Sequence, residues 1–244
     1  MGQEEKTMRS TTSVRACAAA ASIALALGLG ACSSDKKSDS ATASSSSASS
    51  ATTSASASTL NPRTVDAEDG PNETIADYIK SARIHETAAK PGEDGAPIID
   101  LPTPDGWEDA GDKTPDYAAG AIVYTGPEAQ GANYTPNIIA ILSKLTGNVD
   151  KQKLIDLAGG EMKNLPDFHQ LGGGTDRLSS YPSYKIAGTY DLDGISAVTA
   201  QQTVIIPGPD GVYVLQFNAT SNEDQADALQ AATESIDANT KISF

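Results

Sequence analysis

The chain predicts an α+β domain, an antiparallel β-sheet with helices packed on it, and three observations carry that expectation. Two β-rich runs, Val198 to Ile206 and Val212 to Ala219, flank Pro207-Gly208-Pro209-Asp210-Gly211, the residue chemistry of a hairpin. Leu154, Leu157, Ala158, Met162 and Leu165 recur at spacings near 3.6, the stripe of a helix that covers a sheet face. The segments run strands, helix, meandering strands, helix, which favours antiparallel pairing over a wound parallel sheet.

The sheet-forming part occupies only the later portion of the 244 residues. Residues 1–31 read as an export signal. Lys6, Arg9 and Arg15 form a basic start, and Ala16 to Gly30 follow without a charge, too short at 1.5 Å per residue to cross a ~30 Å hydrocarbon core. Glu4 and Glu5 are unusual in such a start, and initiation at Met8 gives a cleaner signal. Leu29-Gly30-Ala31-Cys32 has the form of a bacterial lipobox. The Cys32 thiol would take a diacylglycerol, and the amine freed by cleavage a further chain. Two or more chains hold a protein stably where a single one does not. Cys32 is therefore the expected lipid-attachment residue, and the expected location is the outer side of a cell membrane, anchored without a span.

Cys17 lies within the expected signal, so lipidation of Cys32 leaves no thiol for a disulfide, nucleophile or metal site. From Ser33 to Thr59, 23 of 27 residues are Ser, Ala or Thr, with no aromatic or large aliphatic side chain to offset the entropy of ordering. Residues 32–71 are thus expected to be a lipidated, flexible tether, of which residues 33–59 alone reach roughly 30 Å. Removal of residues 1–31 leaves 14 basic against 30 acidic side chains, a charge of −16. Such a surface repels phosphate backbones and excludes nucleic acid as a main partner; the membrane is reached through the lipid.

The domain is expected over residues 72–244. Thr74-Ile75-Ala76-Asp77 is a capping box opening a short helix with Ile75, Tyr78, Ile79 and Ala82 on one face. After the turn-rich Pro91 to Pro97, Ile98 to Leu101 reads as a strand, and Pro102 to Trp107 as a turn delivering Trp107 into another. Ala119 to Tyr124 and the β-branched Asn137 to Leu145 are further strands. Asp150 caps a helix expected to run through Lys163. Phe168 to Ser180 is a strand interrupted by Gly172-Gly173-Gly174. Tyr184, Ile186, Tyr190 and Leu192 alternate with Lys185, Ala187, Thr189 and Asp191 as a half-buried strand does. In the hairpin, Tyr213, Leu215, Phe217 and Ala219 take the inner face. Ser221 to Asp224 cap a final helix bearing Leu229, Ala232 and Ile236.

Chemistry is sparse. His85 and His169 stand in unrelated contexts, no Gly-x-Ser-x-Gly elbow occurs, and the glycine triplet lacks both the Walker lysine and the dinucleotide spacing. Asp191-Leu192-Asp193-Gly194 lacks the further acids of a calcium loop. No enzyme activity, metal or cofactor is expected, a hydrolase assembled in space being the lowest-ranked alternative. What remains is binding. Trp107, Tyr117, Tyr124, Tyr134, Tyr181 and Tyr184 are amphipathic rings able to line a groove, with Trp107 also suited to the core. An apolar pocket between helix and sheet with tyrosine hydroxyls at its mouth suits an acyl chain with a sugar head.

Thr74-Ile75-Ala76-Asp77-Tyr78-Ile79, Gly95-Ala96-Pro97, Ile99-Asp100-Leu101-Pro102, Pro104-Asp105-Gly106-Trp107 and Gly120-Ala121-Ile122-Val123-Tyr124 resemble the LpqN/LpqT family of actinobacterial lipoproteins. The resemblance is most specific over residues 74–124 and departs from the family pattern at Thr114-Pro115-Asp116-Tyr117. It implies a Mog1/PsbP-like α/β sandwich and a role in mycolate-type glycolipid handling. It also implies envelope transporters or mycolyltransferases as partners. It brings no catalytic residue. Two functions stay open: a glycolipid-binding or glycolipid-transferring envelope lipoprotein, and a protein-interaction scaffold that holds no lipid.

Overall fold

The computed structural model describes residues 70–130 and 132–244. The expected signal, Cys32 and residues 33–69 of the expected tether lie outside the described residues.

The first described element, α1 (Ile75–Ala82), starts where the sequence places it. The Thr74 hydroxyl accepts from the Asp77 N–H, and the Asp77 carboxylate accepts from the Thr74 N–H at 2.8 Å, a closed capping box. Five strands follow: β1 (His85–Ala88), β2 (Ile98–Asp100), β3 (Trp107–Asp109), β4 (Gly120–Tyr124) and β5 (Asn137–Thr146). Two short helices, α2 (Lys151–Leu157) and α3 (Gly160–Lys163), lead into the meander β6 (His169–Leu178), β7 (Tyr181–Leu192), β8 (Ile195–Gly208) and β9 (Gly211–Asn222). A 3₁₀ turn capped by Asn222 and Gln225 then opens α4 (Ala226–Asn239), and β10 (Lys241–Ser243) closes the chain.

All pairing is antiparallel. The main sheet runs β3-β4-β5-β9-β8-β7-β6, with β1 added beside the second half of β5; among the described residues β2 pairs only with β10. Side-chain alternation sorts the sheet into two faces. One buries Ile138, Leu142, Leu215 and Phe217 against Leu229, Ala232 and Ile236 of α4, with Ile242 of β10 closing the same core. The other buries Leu145, Ile205 and Val214 against α1 and α2, and Ile186 and Tyr190 against Met162 of α3. The sheet is therefore the middle of three layers.

Two expectations are corrected. The helix from Asp150 to Lys163 is broken at Ala158-Gly159, because the chain before α1 crosses it there. A Cβ on Gly160 would stand 2.1 Å from the Glu73 carbonyl oxygen, so the crossing requires a bare backbone. The glycine triplet does not interrupt its strand. β6 passes through it with a register shift between Gln170 and Gly172. The crossing is fastened by a side-chain clamp, in which Asn164 accepts from the Asn72 N–H at 3.1 Å and its amide donates to the Asn72 carbonyl at 2.9 Å.

Candidate functional site

A groove opens on the α4 face where small side chains meet across strands. Gly120 of β4 is in register with Ala140 of β5, which is in register with Phe217 of β9, so two of three adjacent positions carry little bulk. Ile122, Ile138 and Phe217 complete the floor, Ile236 of α4 forms one wall, and Leu101-Pro102-Thr103 after β2 forms the other. The space measures about 130 Å³. Asp109 also lines it, with one carboxylate oxygen accepting from the Gly111 N–H at 2.6 Å. An apolar floor with a carboxylate and a threonine at its margin suits an amphipathic ligand, chain inward and hydroxyls toward Asp109.

The aromatic residues expected to form a single binding surface are divided between the two faces. Trp107 and Tyr124 share the groove's face as a tilted pair with ring centroids 5.5 Å apart, but Trp107 is only 4% exposed and belongs to the core. Tyr124 donates to the Glu128 carboxylate. That bond, reinforced by burial and the negative charge, raises the phenol's pKa, and it lowers that of Glu128. Tyr181 packs against the same core. Tyr117 and Tyr134 pack on the opposite face around Ala121 and Ile139, with Tyr134 accepting from the Asn137 amide at 2.8 Å. Tyr184 lies under α2 and α3. None of the rings lines the groove. The sequence signal for the groove is instead small residues at Gly120 and Ala140, informative only once β4 and β5 are placed in register.

The opposite face carries a network of buried polar groups, whereas on the groove's face the Gln202 amide donates to the Ser183 hydroxyl at 3.4 Å, and neither residue lines the groove. The Gln201 amide donates to Glu161 at 2.9 Å and to Asn218 at 3.1 Å, and Asn218 donates to Gln216 at 3.0 Å. His85 lies on β1 and His169 on β6, both exposed. Among the described residues no group of three or more His, Cys, Asp or Glu converges as a metal site would require. No helix among them is long and apolar enough to cross a membrane.

With this geometry in place, comparisons with known proteins agree with one another. The family model described as probable lipoprotein LpqN matches residues 71–243. Lipoprotein LpqN of Mycobacterium tuberculosis is 42% identical over 177 residues, which cover 71% of this chain and 75% of the relative. The putative lipoprotein LpqT of Mycobacterium leprae is 25% identical over 165 residues, 66% of this chain and 72% of the relative. A crystal structure described as LpqN involved in cell envelope biogenesis of Mycobacterium tuberculosis superposes with a TM-score of 0.67 at 42% identity, covering 72% of this chain and all of that one.

Proposed function

The chain belongs to the LpqN family of lipoproteins, and from that membership together with the groove we propose that it is a non-enzymatic, lipid-anchored protein of the cell envelope that binds or hands over an acylated glycolipid of mycolate type. The observation that carries the proposal is the amphipathic groove of Ile122, Ile138, Phe217 and Ile236 with Asp109 and Thr103 at its margin. Ile122, Ile138 and Phe217 would take a segment of acyl chain, and the Asp109 carboxylate would accept hydroxyls of the head. Trp107 and Tyr124 support the floor from beside it, with no direct ligand contact. Cys32 would fix the domain to the membrane, consistent with the naming of its relatives as lipoproteins. The M. tuberculosis relative's involvement in cell envelope biogenesis gives the process in which binding would serve.

Gly120 supplies the test. A Cβ there meets nothing within 4 Å, so Gly120→Leu starts from open space and puts its remaining carbons into the groove. With a hexadecanoyl glucoside carrying a diazirine on its chain, photolabelling is expected on groove residues of the wild type and to fall at least tenfold in the variant. Equal labelling of both proteins overturns the proposal.

A second reading is favoured by one observation. The groove, at about 130 Å³, lies below the ~300 Å³ at which ligand pockets usually begin, and Ile98 and Leu101 beside it are 55% and 36% exposed. Those features suit a scaffold that docks a transporter or mycolyltransferase. Cross-links to such a protein in cells, with no acyl label, would select it.

A further inference from the structure

We propose that residues 98–103 form a strap that must part from β10 before the groove can admit an acyl chain. The inference rests on the glycolipid reading above and resolves its difficulty of size. About 130 Å³ is less than half of the ~300 Å³ at which ligand pockets usually begin, room for a short stretch of chain. The wall that limits it is the one least bound to the body of the domain. Leu101-Pro102-Thr103 continues from β2, which among the described residues pairs with no strand of the main sheet and forms three residue pairs with β10.

The strap is stiff within and jointed at both ends. Pro102 within it, and Pro97 and Pro104 immediately before and after it, restrict the backbone. Gly95 before it and Gly106 after it take φ of 79° and 77°, a region glycine enters without the Cβ penalty of other residues. Beyond those joints the chain is fixed. The Tyr213 hydroxyl donates to the Gly95 carbonyl at 2.7 Å, and the Trp107 ring is buried in the core. β10 is fixed as well, through Ile242 in the core and the Ile242 N–H donating to the Ser179 hydroxyl at 3.2 Å. The more weakly held member of the pair is β2, whose own hold on the core is the partly buried Ile99, with the buried Ala96 and Pro97 before it and the buried Pro104 after it as its flanking anchors. On the outer face, Ile98 lies opposite Ser243 and Asp100 opposite Lys241, all exposed. Lifting the strap removes the wall opposite Ile236 and extends the floor of Ile122, Ile138 and Phe217 into an open trough beneath it.

The pair Ile98 and Ser243 allows the strap to be locked from outside, since residues facing each other across an antiparallel pair satisfy the Cα spacing of a disulfide. In the full chain carrying Cys17→Ser and Cys32→Ser, Ile98→Cys and Ser243→Cys supply the only thiols, and thiol titration follows bond formation. Uptake of the diazirine hexadecanoyl glucoside is expected to be at least tenfold slower in the oxidised protein and to recover on reduction. Lys241→Glu, which sets like charges opposite each other at Asp100, is expected to speed uptake severalfold. Equal uptake by oxidised and reduced protein overturns the strap and leaves the groove reading standing. Absence of label from the reduced protein and the wild type overturns both.

Discussion

Lys185 joins three elements through one ammonium group. From β7 it meets Asp176 of β6 at 2.6 Å and pairs with Asp237 of α4. Burial acts to lower the lysine's pKa, but the hydrogen bonds and charges of the two carboxylates outweigh it and raise the value. Asp176 is lowered, first by the Lys185 hydrogen bond, against partial burial and with help from the Arg177 N–H. A carboxyl depressed in the fold stabilises above its unfolded pKa, near the ordinary 3.8, and that stability drains as pH falls through the folded value. The site is half open to solvent, so the contribution is about 0.5 to 1 kcal/mol after screening. Asp176→Asn is therefore expected to lower unfolding free energy by that amount at pH 7, with the difference from wild type shrinking as the pH is taken below the ordinary 3.8 and through the folded value; urea melts along a descending pH series measure it. Residue type alone told little about the groove. Tyr117, Tyr134 and Tyr184 have the chemistry of ligand contacts yet face away from it, because the face a side chain takes is set by strand register and not by its identity.

At the scale of elements, local signals gave the best guidance. The Thr74 capping box, the alternation along β7, and the hairpin of β8 and β9 with Tyr213, Leu215, Phe217 and Ala219 facing α4 are where the sequence places them. Each is decided within a few residues. β1 gave no signal because all four of its residues are exposed, and β2 and β10 find each other across some 140 positions, a pairing no local pattern encodes. The break between α2 and α3 belongs to the same class, since its cause is the chain before α1. Gly160→Ala tests that cause. Helix propensity alone predicts stabilisation by up to about 1 kcal/mol, whereas the added Cβ would press on the Glu73 carbonyl and overpacking costs about 1 to 3 kcal/mol. A lowered midpoint of thermal unfolding is the expected outcome, and a raised one rejects the crossing as the reason for the break.

For the whole molecule, composition set the class of partner before any fold was assigned. A charge of −16 after removal of residues 1–31 would give an acidic domain little affinity for anionic headgroups, which is why the attachment proposed above runs through lipid on Cys32. Cys32→Ala is accordingly expected to abolish incorporation of labelled palmitate and to move the protein from the membrane fraction to the soluble one. Retention of the variant in membranes would transfer the attachment to some other surface. The three-layer arrangement was legible as a class, from the order of strands and helices. Which face bears the groove was not, because that depends on Gly120 and Ala140 being neighbours across two strands.

The amide clamp between Asn72 and Asn164 also decides where force enters. Under the proposed anchor at Cys32, tension along the amino-terminal chain would enter at those bonds and pass to α3 on one face of the sheet, while the groove beside α4 lies on the other. A domain so anchored would be towed by the face away from the groove, leaving the groove side unloaded and free to turn outward.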